Sequence, residues 1–229
     1  MNNEIKNFSN MEDKKIVKNM KKITGKVSDA RPILQHIYYN DNTIVATDSH
    51  RLLQINKKHN KTNVLYNAKT GENAESFQQY PETSRIIPES ENANNKIIIN
   101  HDEIDLLIAI LKGYKGIKLD RLTLIIDKDQ EYYLMNYSDY NFNNNELLEH
   151  LNLNYKLKNV NLSDKPVHKI TFNISYLLNV FEYLKDDVKT QDLTNNYYIY
   201  LTKSNFPINI TDQANSLIML FVRLDHNKK

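Results

Sequence analysis

The chain has no cysteine and no tryptophan, and only four glycines and five prolines in 229 residues. Without thiols there is no disulfide, no thiolate-bound zinc, no iron–sulfur cluster and no cysteine nucleophile, and a reducing, cytoplasmic setting fits such a composition. Scarce glycine excludes more. Loops that cradle nucleotide phosphates need several glycines at fixed spacing, and Gly25, Gly71, Gly113 and Gly116 match no such fingerprint. Nor is there an excess of one charge: 30 Lys and Arg against 28 Asp and Glu leave a net +2, so any affinity for nucleic acid must come from where the charges lie. Long hydrophobic runs are missing too. The N-terminal MNNEIKNFSNMEDKK is no basic-then-apolar leader, and the run from Ile104 to Leu111 is interrupted and far short of a membrane span. What remains, 40% hydrophobic and 25% charged residues, is the composition of a soluble globular protein long enough to bury a core.

Three segments carry helical periodicity. In the first, Glu12 to Ile23, Ile16, Met20 and Ile23 line one side while Lys14, Lys18, Lys21 and Lys22 occupy the other, which predicts a basic exposed face. The second opens at Asn100, an N-cap with Glu103 at the capping-box position, carries Ile104, Leu107, Ile108 and Leu111 as its apolar stripe, and is expected to stop near Gly113. The third opens at Asn173 and runs through Ile174, Leu177, Leu178, Phe181 and Leu184.

Strand-like runs follow each helix. Ile33–Tyr39, Thr43–Thr47 and Leu52–Asn56 follow the first, with Asn40 to Asn42 as a tight turn; Lys115–Asp127, Glu131–Tyr137 and Asn154–Val160 follow the second, with DKDQ as a turn; Tyr197–Thr202, Ile208–Thr211 and Leu217–Leu224 follow the third. Lys96–Ile99 and His168–Phe172 precede the second and third helices. A helix plus an antiparallel meander, repeated, is an α+β pattern with helices covering one face of a sheet. Lys57 to Asn95 reads as irregular, with a boundary near Ser90 to Asn95 that separates domains 1–95 and 96–229, and Asn136 to His150 reads as a loop.

Candidate chemistry is sparse. Asp48, Ser49 and His50 are consecutive, yet neighbours on an extended strand point to opposite faces and no G-x-S-x-G surrounds them, so a hydrolytic triad is disfavoured. His50, His101 and His150 lack metal-ligand spacing, and Asp186 and Asp187 read as solvated charge at a helix end. The tyrosines at 38, 39, 132, 133, 197, 198 and 200 fall on predicted strands and read as core and sheet-surface residues before base-stacking platforms. No catalytic residue, metal or cofactor is expected. The four lysines of the first helix could meet a phosphate backbone or form an ordinary solvated face.

ATDSHRLLQI (Ala46 to Ile55) resembles the ATDGHRLA stretch of the bacterial DNA polymerase III beta subunit, the sliding clamp. Three further pieces follow in the same order as in that family: YPETSRIIPE (Tyr80 to Glu89) is similar to FPDYRRVLP, FNISYLLNVFEYL (Phe172 to Leu184) to FNVxYLLDAL, and LIMLFVRL (Leu217 to Leu224) to YxIMPVRL. The resemblance implies a DNA-clamp-like fold that lacks the first clamp domain, with 1–95 a contracted middle domain and 96–229 a last domain. It also implies a non-enzymatic protein of DNA replication whose pocket takes clamp-binding peptides of polymerases or loader subunits.

By motif position, Thr47, His50, Arg51 and Leu52 would form one wall of that pocket. Pro88 would sit at its junction, and Ile218, Met219, Leu220, Val222, Arg223 and Leu224 would form the other wall. The resemblance further implies that Lys14, Lys18, Lys21 and Lys22 line a ring around duplex DNA without reading its sequence, as in a processivity factor built from several chains. A regulatory interaction module that has lost the ring and competes for clamp-binding partners is the alternative. The family glycine is Ser49 here and the family proline is Phe221, changes that bear on the pocket.

Overall fold

The computed structural model describes residues 8–74, 79–126, 132–135, 154–167, 169–187, 196–203, 206–211 and 216–220. Helix α1, Asp13–Thr24, buries Ile16, Met20 and Ile23 as its periodicity predicts. Helix α2, His101–Gly116, opens on Asn100, whose side chain accepts from the backbone of Asp102 while Glu103 reaches back in a capping box. Helix α3, Ile174–Asp186, is capped by Asn173, whose side chain accepts from the backbone N–H groups of Ser175 and Tyr176. Gly113 does not end α2. The side of Gly113 faces open space and Tyr114 beyond it is 1% exposed, so packing of the tyrosine carries the helix to Gly116, and the strand expected from Lys115 begins only at Arg121.

Ten strands form one sheet. In chain order they are β1 (His36–Asn40), β2 (Thr43–Thr47), β3 (Arg51–Asn56), β4 (Val64–Asn67), β5 (Asn73–Ala74), β6 (Asn95–Asn100), β10 (Asn159–Leu162), β12 (Asn196–Leu201), β13 (Ile208–Thr211) and β14 (Ser216–Leu220). They lie in the order β10-β6-β12-β13-β14-β3-β2-β1-β4-β5. A second sheet of four strands holds β7 (Arg121–Ile126), β8 (Tyr132–Met135), β9 (Asn154–Lys156) and β11 (Lys169–Asn173), in the order β11-β7-β8-β9.

The stretch 57–95 is not irregular throughout, because β4 pairs with β1 and Leu65 is buried; that pairing is a non-local contact that a polar local sequence hides. The expected single strand Asn154–Val160 is two strands in different sheets, separated where Leu157 turns into the core. The DKDQ turn and the segment 136–150, His150 included, lie outside the described residues.

All three helices lie on one face of the large sheet. The main core runs without a break from Met11, Ile16 and Met20 of the first 95 residues to Leu177, Phe181 and Ile210 of the rest. The two segments also share backbone: β3 pairs with β14, setting Leu52 opposite Met219 and Arg51 opposite Leu220. A smaller apolar cluster, Val27, Leu34, Val45, Leu52, Leu65 and Tyr80, covers the other, outer face of β1 to β4.

Candidate functional site

Between β2 and β3 the chain reverses through Asp48, Ser49 and His50, in the gap left between the two expected strands Thr43–Thr47 and Leu52–Asn56. Ser49 stands at φ 71°, a conformation that costs an L-residue about 1–2 kcal/mol and that glycine adopts freely. Asp48 organises the turn. Its Oδ1 accepts the backbone N–H groups of His50 (2.9 Å) and Arg51 (2.7 Å), and its Oδ2 accepts from Nε (3.0 Å) and Nη2 (2.7 Å) of Arg51. A carboxylate with every lone pair spent in this way has no capacity left to act as a base for Ser49 or His50.

Arg51 therefore points inward. It is 2% exposed, donates from Nη2 to the carbonyl of Lys22 at 3.2 Å, and lays its guanidinium over the Tyr176 ring, 4.2 Å from the centroid. His50, half-buried, also stacks on Tyr176, with ring centroids 6.3 Å apart. Burial raises the Tyr176 phenol above its usual range, and the nearby Asp48 charge adds to the effect. One ion pair thus joins α1, the β2–β3 turn and α3.

Of the residues expected on the first wall, three are interior. Arg51 is buried as described, Leu52 is fully buried beneath Tyr80 in the outer apolar cluster, and Thr47 is buried with its hydroxyl donating to the Arg51 carbonyl at 2.7 Å. Leu52 lies beneath the outer face while Arg51 points to the helices on the other face, and His50 and Pro88 are the half-exposed residues of that set. The Pro88 carbonyl accepts from Asn209 Nδ2 at 3.0 Å, which pins the connecting segment over β13. Ile218, Met219 and Leu220 are placed by backbone register beside β3, whereas Phe221, Val222, Arg223 and Leu224 lie outside the described residues.

The described parts of the two motif segments are hydrogen-bonded neighbours in one sheet, β3 beside β14. One cleft among the described residues, about 680 Å³, lies further along the outer face and is lined by Tyr38, Asn40, Thr43, Gln54, Asn63 and the Gln79–Ser84 segment, an amide-rich wall with Tyr38 stacked on Tyr80 at 4.8 Å. Among the described residues no cluster of His, Cys, Asp or Glu could hold a metal ion.

The basic face of α1 is half spent. Lys18 pairs with Asp186 at 2.9 Å and Lys22 with Glu182 at 2.8 Å, and Asn19 Nδ2 also donates to Asp186, so Asp186 is an interhelical acceptor and not solvated charge. Asp187, 3% exposed, is likewise buried at the end of α3. Lys14 and Lys21 stay exposed, with no ion pair among the described residues. The complementarity had a signal: Lys18 and Lys22 are four residues apart, as are Glu182 and Asp186, which suits two antiparallel helices. Nothing in the spacing identified Tyr176 as the partner of Arg51, because only the tertiary fold brings α3 to the turn.

No family model matches the chain, and no curated protein matches it. Solved structures do. The DNA polymerase sliding clamp of Bacillus subtilis superposes with a TM-score of 0.66 at 14% identity over 97% of this chain and 68% of its own. The fold is that of the bacterial sliding clamps. A DNA polymerase III subunit beta from Borrelia burgdorferi, solved with a natural product, gives 0.64 at 15% identity over 99% of this chain and 66% of its own. A sliding clamp from Bartonella birtlesii, bound to griselimycin, gives 0.63 at 16% identity over 92% and 64%. The chain spans about two thirds of the length of these clamps. Among the described residues no helix is long and apolar enough to cross a membrane.

Proposed function

We propose that this chain is a clamp-type, non-enzymatic protein of DNA replication that docks short linear peptides of a polymerase or clamp-loader subunit on its outer face, beside the Asp48–Arg51 turn. The observation that carries the reading is the pairing of β3 with β14 on a clamp fold: it sets the two motif segments side by side, with Leu52 opposite Met219. Peptides with a Leu and a Phe anchor suit such a surface, and ordering them on binding limits their affinity. Calorimetry with such a peptide is expected to give a micromolar-class Kd, about 8 kcal/mol, lost on Met219→Glu while thermal melting stays near the parent value. No heat at concentrations well above micromolar would end this reading.

Encirclement of duplex DNA is a second reading, favoured by exposed Lys14 and Lys21 on the helix face. Contact through phosphates would be sequence-indifferent and would weaken steeply with salt. Since Lys18 and Lys22 already answer carboxylates of α3, the helix face is of mixed charge, which favours the peptide-docking interaction module over the ring. Salt-sensitive retention on duplex DNA that disappears with Lys14→Glu and Lys21→Glu together would reverse that preference.

A further inference from the structure

The cleft on the outer face is floored by one row of paired residues. Leu65, Tyr38, Val45 and Gln54 stand opposite one another across β4, β1, β2 and β3, and Asn40 and Thr43, two residues along their strands, share that face. The segment Gln79–Ser84 forms the facing wall, with Tyr80 seated on Tyr38. Among the described residues no lysine or arginine lines the cleft, and Glu82 is its one charged group. Glu82 Oε1 accepts from the Ser84 hydroxyl at 2.7 Å and from the Ser84 backbone N–H at 3.0 Å. Those bonds, together with the nearby charge of Arg85, hold the Glu82 carboxyl below its usual range, so its own segment already answers the acid. The uncharged hydrogen-bonding groups are unspent. The side-chain amides of Asn40, Gln54 and Gln79 are unpaired among the described residues. Tyr38 Oη donates to Asn63 Oδ1 at 2.6 Å, which leaves Asn63 Nδ2 as a spare donor. Burial, and then the charges of Asp41 and Glu82, raise the Tyr38 phenol and keep it protonated in that role.

We infer that this cleft is a binding site for an uncharged saccharide, whose hydroxyls meet the amides of Asn40, Gln54, Asn63 and Gln79 while the C–H face of its ring rests on Val45 and Leu65. A ligand bearing phosphate or carboxylate would lie beside Glu82 with no cation in the lining to answer it. A nucleobase finds no slot between the tyrosines, because the Tyr38 and Tyr80 rings are already stacked on each other, 14° from parallel. A saccharide hydroxyl is donor and acceptor at once, and an amide side chain carries both functions, so neighbouring hydroxyls and neighbouring amides match. Each hydroxyl replaces water that hydrogen-bonds nearly as well, which makes the binding weak, of millimolar class.

The test is titration of the full chain, labelled with nitrogen-15, by three uncharged disaccharides, maltose, trehalose and cellobiose, followed in proton–nitrogen correlation spectra. At least one is expected to shift, saturably and below about 50 mM, the side-chain amide signals of Asn40 and Gln54 and the backbone signals of Gln79 to Ser84. Gln54→Leu, in the floor, and Gln79→Ala, in the wall, should each weaken that binding at least about threefold, since each removes a hydrogen-bonding partner of the ligand. Both side chains face outward, so thermal melting of the variants should stay near the parent value and separate lost binding from lost folding. Maltobionate, which carries a carboxylate on the same scaffold as maltose, and putrescine, a diamine, are expected to leave these signals in place. Absence of saturable shifts with all three disaccharides overturns the inference, as does binding that survives both variants. Tighter binding of maltobionate or putrescine at the same signals overturns the assignment to an uncharged ligand.

Discussion

Asp48 and Arg51 are three residues apart and 7% and 2% exposed in their side chains, with Nη2 and Oδ2 2.7 Å apart. Charges taken out of water are tolerated only while paired and hydrogen-bonded, and the Asp48 carboxylate also fixes two backbone N–H groups of its own turn. Removing it strands a buried guanidinium. Asp48→Ala is therefore expected to cost about 3–5 kcal/mol in urea unfolding, against a fraction of that for an exposed acid such as Asp102. A loss below about 1 kcal/mol would mean that water reaches Arg51. Sequence alone exposed part of this. DSHR placed an acid and a base three apart, but that spacing is equally common on solvated surfaces, and burial was decided by α1 and α3 arriving from 29 residues before and 125 after. The caps Asn100 and Asn173 were legible in full, since a cap acts within three residues of itself.

At the scale of elements, α1 and α3 are fastened by Lys18 to Asp186 and Lys22 to Glu182. Burial pushes the Asp186 carboxyl up, but the hydrogen bonds from Lys18 and Asn19 and the charges of Lys18 and Lys22 outweigh it, so its pKa lies below the ordinary value. A carboxyl depressed in the folded state contributes stability that is present above its unfolded pKa, about 3.9, and is lost as pH falls through the folded value. The contribution is thus whole at neutral pH and disappears below about pH 4. Asp186→Asn is expected to lower the urea midpoint at pH 7 and to match the parent at the acid end of the series, by circular dichroism. An equal deficit at every pH would show that the side chain acts through packing and not through charge. The lysine periodicity of α1 was legible, while its partial neutralisation was not, because the partners lie on a helix some 160 residues away.

Across the whole molecule, one core cluster and one sheet join the first 95 residues to the remainder, through β3 with β14 and through α1 with α3. A core that two segments share leaves neither with a complete one. Unfolding should be a single transition, with tyrosine fluorescence and far-ultraviolet circular dichroism changing together in urea. The segment 1–95 alone should then lack a cooperative transition, since β3 would become an exposed edge and the surface of α1 that meets α3 would face water. Two separated transitions in the intact chain would instead mark independent domains.

The sequence by itself determined what is local: the three helices and their two asparagine caps, the alternation of the strands, and the turn at Asn40 to Asn42. It excluded thiol chemistry by composition, and its four short motifs pointed to a clamp-type fold whose neighbours are sliding clamps. Tertiary structure alone decided which faces those elements spend. It turned Arg51 and Leu52 inward, set Asp186 against Lys18, drew β4 out of a stretch that looks irregular, and ran one sheet across the expected boundary. The physical reason is the range of the interactions. Caps, turns and periodicity act within a few residues, whereas strand pairing, charge burial and interhelical ion pairs depend on groups far apart in the chain, whose meeting no local pattern encodes.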